Sequence, residues 1–246
     1  MAQLGHPGLH GSYIKNYKLI HNISILIWYY IGMSPYSWKK HHNVNHHQHT
    51  NTIDDLDKDW KPFLRTFKDI KWYPIHKYQH FYAPLIYSIG GLYYMWIMPI
   101  IFDYNFYSMF YFIFLMLISK KIFHKNYFKY WLIKTMVHSI CFTMINNVTH
   151  MNEKVQSNSG KGKNFTEAQI FESSNYSENN FLITYLTGGL NYQTEHHLLQ
   201  SIEPFHLPFL ATHLKKKCIH KKNIFNSYFE IYKSHYLYLK NLSKKK

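Results

Sequence analysis

The sequence predicts an all-α integral membrane protein, with spanning helices, basic cytoplasmic loops and separated histidine boxes. Three observations lead there. Apolar, aromatic-rich runs in the middle of the chain approach the ~20 residues that a bilayer core demands of a helix. The formal charge is +15, from 28 Lys+Arg against 13 Asp+Glu, yet Arg65 is the lone arginine. Arginine supplies the planar fork that phosphate and guanine contacts favour, so its near absence fits a nucleic-acid partner poorly, and none is expected. Lysine-rich loops between apolar runs suit the anionic cytoplasmic leaflet instead. Finally, histidines gather in separated boxes at helical spacing.

Taken in order, residues 17–33 are apolar and aromatic but broken by His21, Asn22 and Gly32, which predicts a helix lying in the membrane interface. Ser34-Pro35 ends it. Residues 54–71 carry Asp54, Asp55, Asp57 and Asp59, and are expected to be a solvated acidic connection rather than metal ligands. Residues 81–102 are the strongest spanning candidate, bent by Pro84, Gly90, Gly91 and Pro99. A turn is expected at Asp103-Tyr104-Asn105, followed by shorter apolar runs at 106–118 and 130–148. Boxes that share one side of the membrane require an even number of crossings. Positive-inside counting pairs 81–102 with 106–118, whereas length pairs it with 130–148, and both remain open.

Residues 151–180 are rich in Ser, Asn and Lys and predict a cytoplasmic loop. Residues 181–190 turn apolar and end in Gly188-Gly189, a pair that permits close helix packing. Past Pro204 and Pro208 the chain becomes basic and amphipathic. Cys141 and Cys218 are too few for a disulfide framework. The first dozen residues lack the basic-then-apolar order of a signal peptide. The length suits one sizeable domain spanning residues 1–246.

The chemistry sits in the histidines. Residues 41–51 contain five of them, and His42 and His46 stand four apart, on one helical face, with His47 turned by about 100°. His6 and His10 repeat the spacing of four, His196 and His197 are adjacent, and His150 closes an apolar stretch. Neutral imidazole is a common ligand for iron, zinc, copper and nickel. His41, His49, His76, His80 and His124 are expected at the surface or interface, and His206 beside the boxes at most. Tyrosine and phenylalanine stripes in 81–118 are expected to face lipid or core.

Gly188-Gly-Leu-Asn-Tyr-Gln193-Thr-Glu-His-His197-Leu is close to the third histidine box of membrane fatty-acid desaturases of the front-end (QxxHH) group, acyl-lipid and sphingolipid members included. Trp38 to Asn51 resembles the second box. Gln169, with Ser174-Asn175-Tyr176 and Asn179, resembles the segment leading to the third. His6 to Ser12 resembles the first, with Pro7 where the family usually has Asp. The likeness runs from about residue 6 to 215.

The resemblance implies an all-α membrane fold whose cytoplasmic cap carries a histidine-rich di-iron site. Carried over by motif, the ligands are His6, His10, His42, His46, His47, His196 and His197, joined by His150 at the end of the last spanning helix. No catalytic residue is separate from these ligands. Gln193 stands where other desaturases have a ninth histidine, and Asn146 lies four residues before His150, so both belong to the possible metal shell. Glu195 is expected to orient a ligand.

The implied reaction uses two iron ions, O2 and electrons from cytochrome b5 or ferredoxin to place a cis double bond in a fatty-acyl chain. Partners are the lipid substrate, the membrane, and cytochrome b5 with its reductase, in the endoplasmic reticulum with the site facing the cytoplasm. The family carries two spanning helices before its first box and often a cytochrome b5 domain. This sequence is therefore expected to be N-terminally truncated, with Pro7 and Gly8 interrupting the helix that would aim His6 and His10. The boxes fix the oxidant rather than the substrate, so a lipid hydroxylase or sphingolipid desaturase shares the pattern. An inactive truncated remnant, or a histidine-rich metal-binding membrane protein, is the alternative from another class.

Overall fold

Helices dominate the computed structural model, which describes residues 2–12, 17–31, 33–102, 106–158, 160–162, 164–218 and 222–245. The chain divides into two compact units, Met1–Asn43 with Pro84–Met144, and Val44–Ala83 with Ile145–Lys246.

In the first unit, α1 (Ala2–Leu9) packs on α2 (Lys18–Ile31). The contact is tight because Gly5 has no side chain: a Cβ there would meet the Trp28 ring at 2.7 Å. Pro7 lies inside α1 and does not interrupt it, contrary to expectation. His10 N still donates to His6 O at 3.2 Å, and His21 Nδ1 donates to Gly8 O at 3.0 Å, so packing on α2 offsets the lost proline N–H. Trp28 joins Leu9, Ile31, Met33 and Trp38 in one apolar cluster. Ser34 caps α3 (Pro35–Trp38), its Oγ accepting from Ser37 N at 3.2 Å.

Next comes α5 (Gln79–Leu92), which runs into a π-helical stretch at Tyr93–Phe102 containing Pro99. Ser139 of α7 (Tyr127–His150) accepts from Gly91 N and donates to Tyr87 O, both at 2.6 Å. That approach needs glycine, since a Cβ at position 91 would lie 2.9 Å from Ser139 Cβ. Met95, Phe112 of α6 (Phe106–Phe123) and Trp131 form a second cluster. Two helical runs, Pro74–Ile100 and Phe106–Ser157, are long and apolar enough to cross a membrane. The second run joins both shorter apolar candidates, α6 and α7, through one turn at His124–Asn126. The turn expected at 103–105 lies outside the described residues.

The second unit holds α4 (His47–His49), α8 (Glu153–Asn158), α9 (Phe165–Phe171), α10 (Phe181–Thr187), α11 (Gln193–Leu198), α12 (Leu207–Cys218) and α13 (Tyr228–Leu242). Strand β1 (Ser174–Tyr176) pairs in parallel with β2 (Asn223–Phe225), Asn175 opposite Ile224. This sheet, and the helices α8 and α9, replace the loop expected at 151–180. Polar residues there are buried rather than solvated: Ser173, Ser174 and Asn175 are wholly enclosed. Their side chains pair internally, which polarity alone does not reveal. The single arginine is likewise spent inside. Arg65 donates to the carbonyls of Ile70, Leu242 and Lys244, while Gln79 Nε2 reaches Leu239 O at 2.8 Å. Arg65 thereby pairs the Leu242 carbonyl, left open at the C-terminal end of α13, and that of Lys244 beyond it.

Candidate metal centre

All eight histidines that match the boxes are buried. In the first unit His6, His10 and His42 converge, ring centroids 4.6 Å apart for His6–His10, 5.4 Å for His6–His42 and 5.3 Å for His10–His42. Trp38 stacks on His42 at 4.3 Å and forms an apolar wall behind it. Asn43 Nδ2 donates to Leu9 O at 2.9 Å and ties the second box to the end of α1.

The second unit gathers His46, His47, His150, His196 and His197. His46, His150 and His197 each offer a ring nitrogen within 4.8 Å of the other two. The orientation of these rings is fixed from behind. His46 Nδ1 donates to Asp55 at 2.9 and 3.0 Å, His150 Nδ1 to Glu172 O at 2.9 Å, and His197 Nδ1 to Gln169 Oε1 at 2.7 Å. Three acceptors therefore hold three Nδ1 protons, which leaves the lone pair on Nε2 in every ring. His197 Nε2 is buried with no hydrogen-bond partner among the described residues. His47 lies against His197 at 4.3 Å and against His196 at 5.1 Å.

Behind the rings, polar side chains connect the separate segments. Gln169, on α9, donates Nε2 to His47 O at 3.1 Å and accepts from Thr50 Oγ1 at 3.1 Å as well as from His197. Asn51 Nδ2 donates to His150 O at 3.1 Å and Glu172 O at 2.6 Å, and Lys58 donates to Asn51 Oδ1. Asn175 Oδ1 accepts from Thr194 N at 2.9 Å and so caps the exposed N–H groups at the start of α11. Gln193 Nε2 stands 3.0 Å from His150 Nε2, while its Oε1 is buried with no hydrogen-bond partner among the described residues. Asn146 Oδ1 is likewise buried and unbonded among them.

Electrostatics divide these imidazoles. Burial, then the neighbouring histidines, hold His197 well below its ordinary value, so it is neutral at pH 7. For His46, burial opposes the charged form, but the Asp55 carboxylate outweighs it and raises the ring above 6.5. Burial likewise pushes the Asp55 carboxyl up, and the charge of His46 outweighs it, leaving the group below its ordinary value. Burial lowers Lys58 to about 8 against the opposing charges of Asp55 and Glu172.

Several expectations need correction. The 54–59 segment is not wholly solvated: Asp55 is 1% exposed and backs His46, because Asn51 N and Asp57 N also donate to it and carry it inward. Glu195 bonds no histidine among the described residues. It pairs with Lys222 and accepts from Asn175 Nδ2 at 2.6 Å, an ion pair enclosed beside α11. His49 and His124 are exposed as expected, but His41 and His76 are buried. His76 serves structure, donating Nε2 to Pro62 O at 2.8 Å and accepting from Tyr73 N at 3.1 Å. The role of Asp55 was detectable only as an acid nine residues past His46, a separation with no fixed geometry outside a helix.

The family model for fatty acid desaturases matches residues 1–229. The sn-1 linoleoyl-lipid 6-desaturase of Arthrospira platensis is 26% identical, over 98% of this chain and 73% of its own length. The acyl-lipid (8-3)-desaturase of Physcomitrium patens is 25% identical over 88% of this chain and 51% of its own, and Delta(5) fatty acid desaturase A of Dictyostelium discoideum 28% identical over 76% and 47%. The chain thus spans about half the length of the latter two relatives. No solved structure matches the chain. The histidine boxes, the buried imidazoles and the match over nearly the whole sequence place this chain in the fatty acid desaturase family.

Proposed function

We propose that the chain is a single desaturase domain, residues 1–246, that introduces a cis double bond into a fatty-acyl chain of a lipid at an iron centre. The observation that carries this is the set of three buried imidazoles, His46, His150 and His197, whose Nδ1 protons are all held from behind. Nitrogens sharing one first-row ion at ~2.1 Å lie about 3–4 Å apart, and the three found here lie within 4.8 Å of one another. The donor set suits iron: imidazole nitrogens, a backing carboxylate and amide, and burial that excludes water. The eight histidines His6, His10, His42, His46, His47, His150, His196 and His197 are the proposed ligands of two iron ions, with His46, His150 and His197 sharing one.

The chemistry that bound iron supplies is activation of O2, needed because no side-chain acid or base breaks an unactivated methylene C–H bond. The chain itself does the positioning. Asp55, Gln169 and the Glu172 carbonyl keep the rings in one tautomer and one orientation. Gln193 guards the His150 lone pair with its amide nitrogen, and a flip of that amide would offer Oε1 in its place. Asn146 completes the possible shell. Electrons come from cytochrome b5 with its reductase, or from ferredoxin, and the protein resides in the endoplasmic reticulum membrane with the centre facing the cytoplasm. The names of the relatives support an acyl lipid as substrate.

The test is lipid mass spectrometry after expression, with cytochrome b5 and its reductase, in a host lacking polyunsaturated lipids. A new double bond is expected that disappears in His150→Ala. A hydroxylated lipid instead would assign a hydroxylase, and an unchanged lipid profile from iron-loaded protein would assign a remnant.

A further inference from the structure

The helix α10 is turned inside out. Its polar residues face the protein: Thr184 Oγ1 accepts from Asn191 Nδ2 at 3.2 Å, and Thr187 Oγ1 donates to Asn191 Oδ1 at 3.2 Å. Its apolar residues face outward, Phe181 at 80% exposure, Leu182 at 62%, Tyr185 at 55% and Leu186 at 59%. At 100° per residue these four occupy one continuous face of roughly 140°, opposite Thr184 and Thr187. Soluble helices show the reverse, and a contiguous exposed patch of large apolar side chains marks an interaction surface. At seven residues α10 is far too short to cross a bilayer.

The neighbouring helix continues the pattern. Gly189, just past α10, lies so near the start of α12 that a Cβ there would be 2.8 Å from Pro204 Cβ and 3.2 Å from Leu207 Cδ1. On α12, Leu207 and Ala211 are buried, while Phe209 is 68% exposed on the opposite face, with Phe205 exposed one turn before it. Lys216, two turns on, shares that outer face, and Lys215 is exposed beside it. Aromatic and aliphatic side chains with lysines at the edge are the pattern of a helix lying in a membrane interface.

We propose that the outer faces of α10 and α12 seat on an anionic lipid bilayer, with Phe181, Leu182, Leu186 and Phe209 entering the acyl region. Lipid is favoured as occupant because neither α10 nor α12 contains an acid, lysines lie at the edge of the face and the net charge is +15. The same chain carries two runs able to cross a membrane, and the inference rests on that membrane reading. Seating the segments on either side of the third histidine box would hold that box at the bilayer surface, where acyl chains are found.

The experiment is site-directed bimane fluorescence on the full chain in nanodiscs that contain anionic lipid. A background with Cys141→Ser and Cys218→Ser receives one probe at a time, through Leu182→Cys, Leu186→Cys or Phe209→Cys. Phe114→Cys on the lipid-facing candidate helix and Lys61→Cys on the exposed connection are the references. Brominated lipid is expected to reduce emission at 182, 186 and 209 comparably to 114, with little loss at 61, while aqueous iodide shows the opposite order. Quenching at 114 but not at 182 and 186, with iodide reaching the latter pair, would overturn the inference and leave the membrane reading intact. Protection of 182 and 186 from both quenchers would assign the face to a protein and overturn it equally. No quenching at 114 would overturn the membrane reading, and with it the inference.

Discussion

Asp55 shows most clearly how one side chain governs the candidate centre. It accepts from His46 Nδ1, Asn51 N and Asp57 N, so it fixes both a ring and the loop that follows. Outer partners of this kind typically change metal affinity 10–100-fold. Asp55→Asn is expected to weaken iron binding by about that factor in competition titrations, and unchanged affinity would remove Asp55 from the centre. A second residue, His235, gives a pH test outside the proposed ligand set. Burial first of all lowers it to about 4, although its Nδ1 donates to Met151 O at 2.7 Å. A histidine depressed from 6.5 binds its proton more readily when unfolded, so stability is intact above pH 6.5 and falls as pH drops towards 4. The loss across that window is roughly 3 kcal/mol for this one group. His235→Gln, which retains a donor, is expected to melt at a temperature less sensitive to pH between 7 and 5 than the wild type. The histidine boxes were legible because their spacing survives in sequence, and all eight proposed ligands are buried. Asp55, Gln169 and Asn51 act across loops or over more than a hundred residues, as Asn51 does with Glu172, and only the fold brings them together.

Among the elements, the segment between α10 and α12 is tightly constrained at Gly189. Gly189 has φ +82° and no room for a Cβ, whereas Gly160 has φ +75° and nothing within 4 Å. Gly160→Ala should cost only the left-handed backbone, about 1–2 kcal/mol. Gly189→Ala adds a clash with Pro204, and overpacking costs a further 1–3 kcal/mol or so. Thermal unfolding should therefore rank Gly189→Ala clearly below Gly160→Ala, and equal melting temperatures would show that Pro204 yields. The glycine pair was visible in the sequence as a site of close packing, and so was the helix before it. What was not visible was which face of α10 turns inward, because the bonds of Thr184 and Thr187 to Asn191 on that face appear only in the fold. The helices of 153–171 were hidden for a related reason: their polar residues read as loop until their hydrogen-bond partners are known.

For the whole molecule, the helical, membrane-compatible architecture followed from apolar run length and lysine bias, both properties of composition along the chain. The division into two units did not, since α5, α7 and the histidine-bearing π-helical stretch Lys39–His46 each contribute to both. The N-terminal box illustrates the limit in another way. Pro7 and Gly8 suggested an interrupted helix, yet contact with Trp28 keeps α1 continuous through His6. Gln193 connects this scale back to the centre. Gln193→His, which puts a polar ring nitrogen where the amide stood, should keep part of the desaturase activity, whereas Gln193→Ile should abolish it. Full activity in the isoleucine variant would exclude contact between this side chain and the metal shell.

The proposed centre stands or falls on what the purified full chain binds. Elemental analysis after anaerobic loading with ferrous iron is expected to give two irons per chain, and about one fewer in His197→Ala, whose replaced ring presents a buried, unbonded Nε2. One zinc and no iron, or the same iron content in His197→Ala as in the wild type, would contradict it.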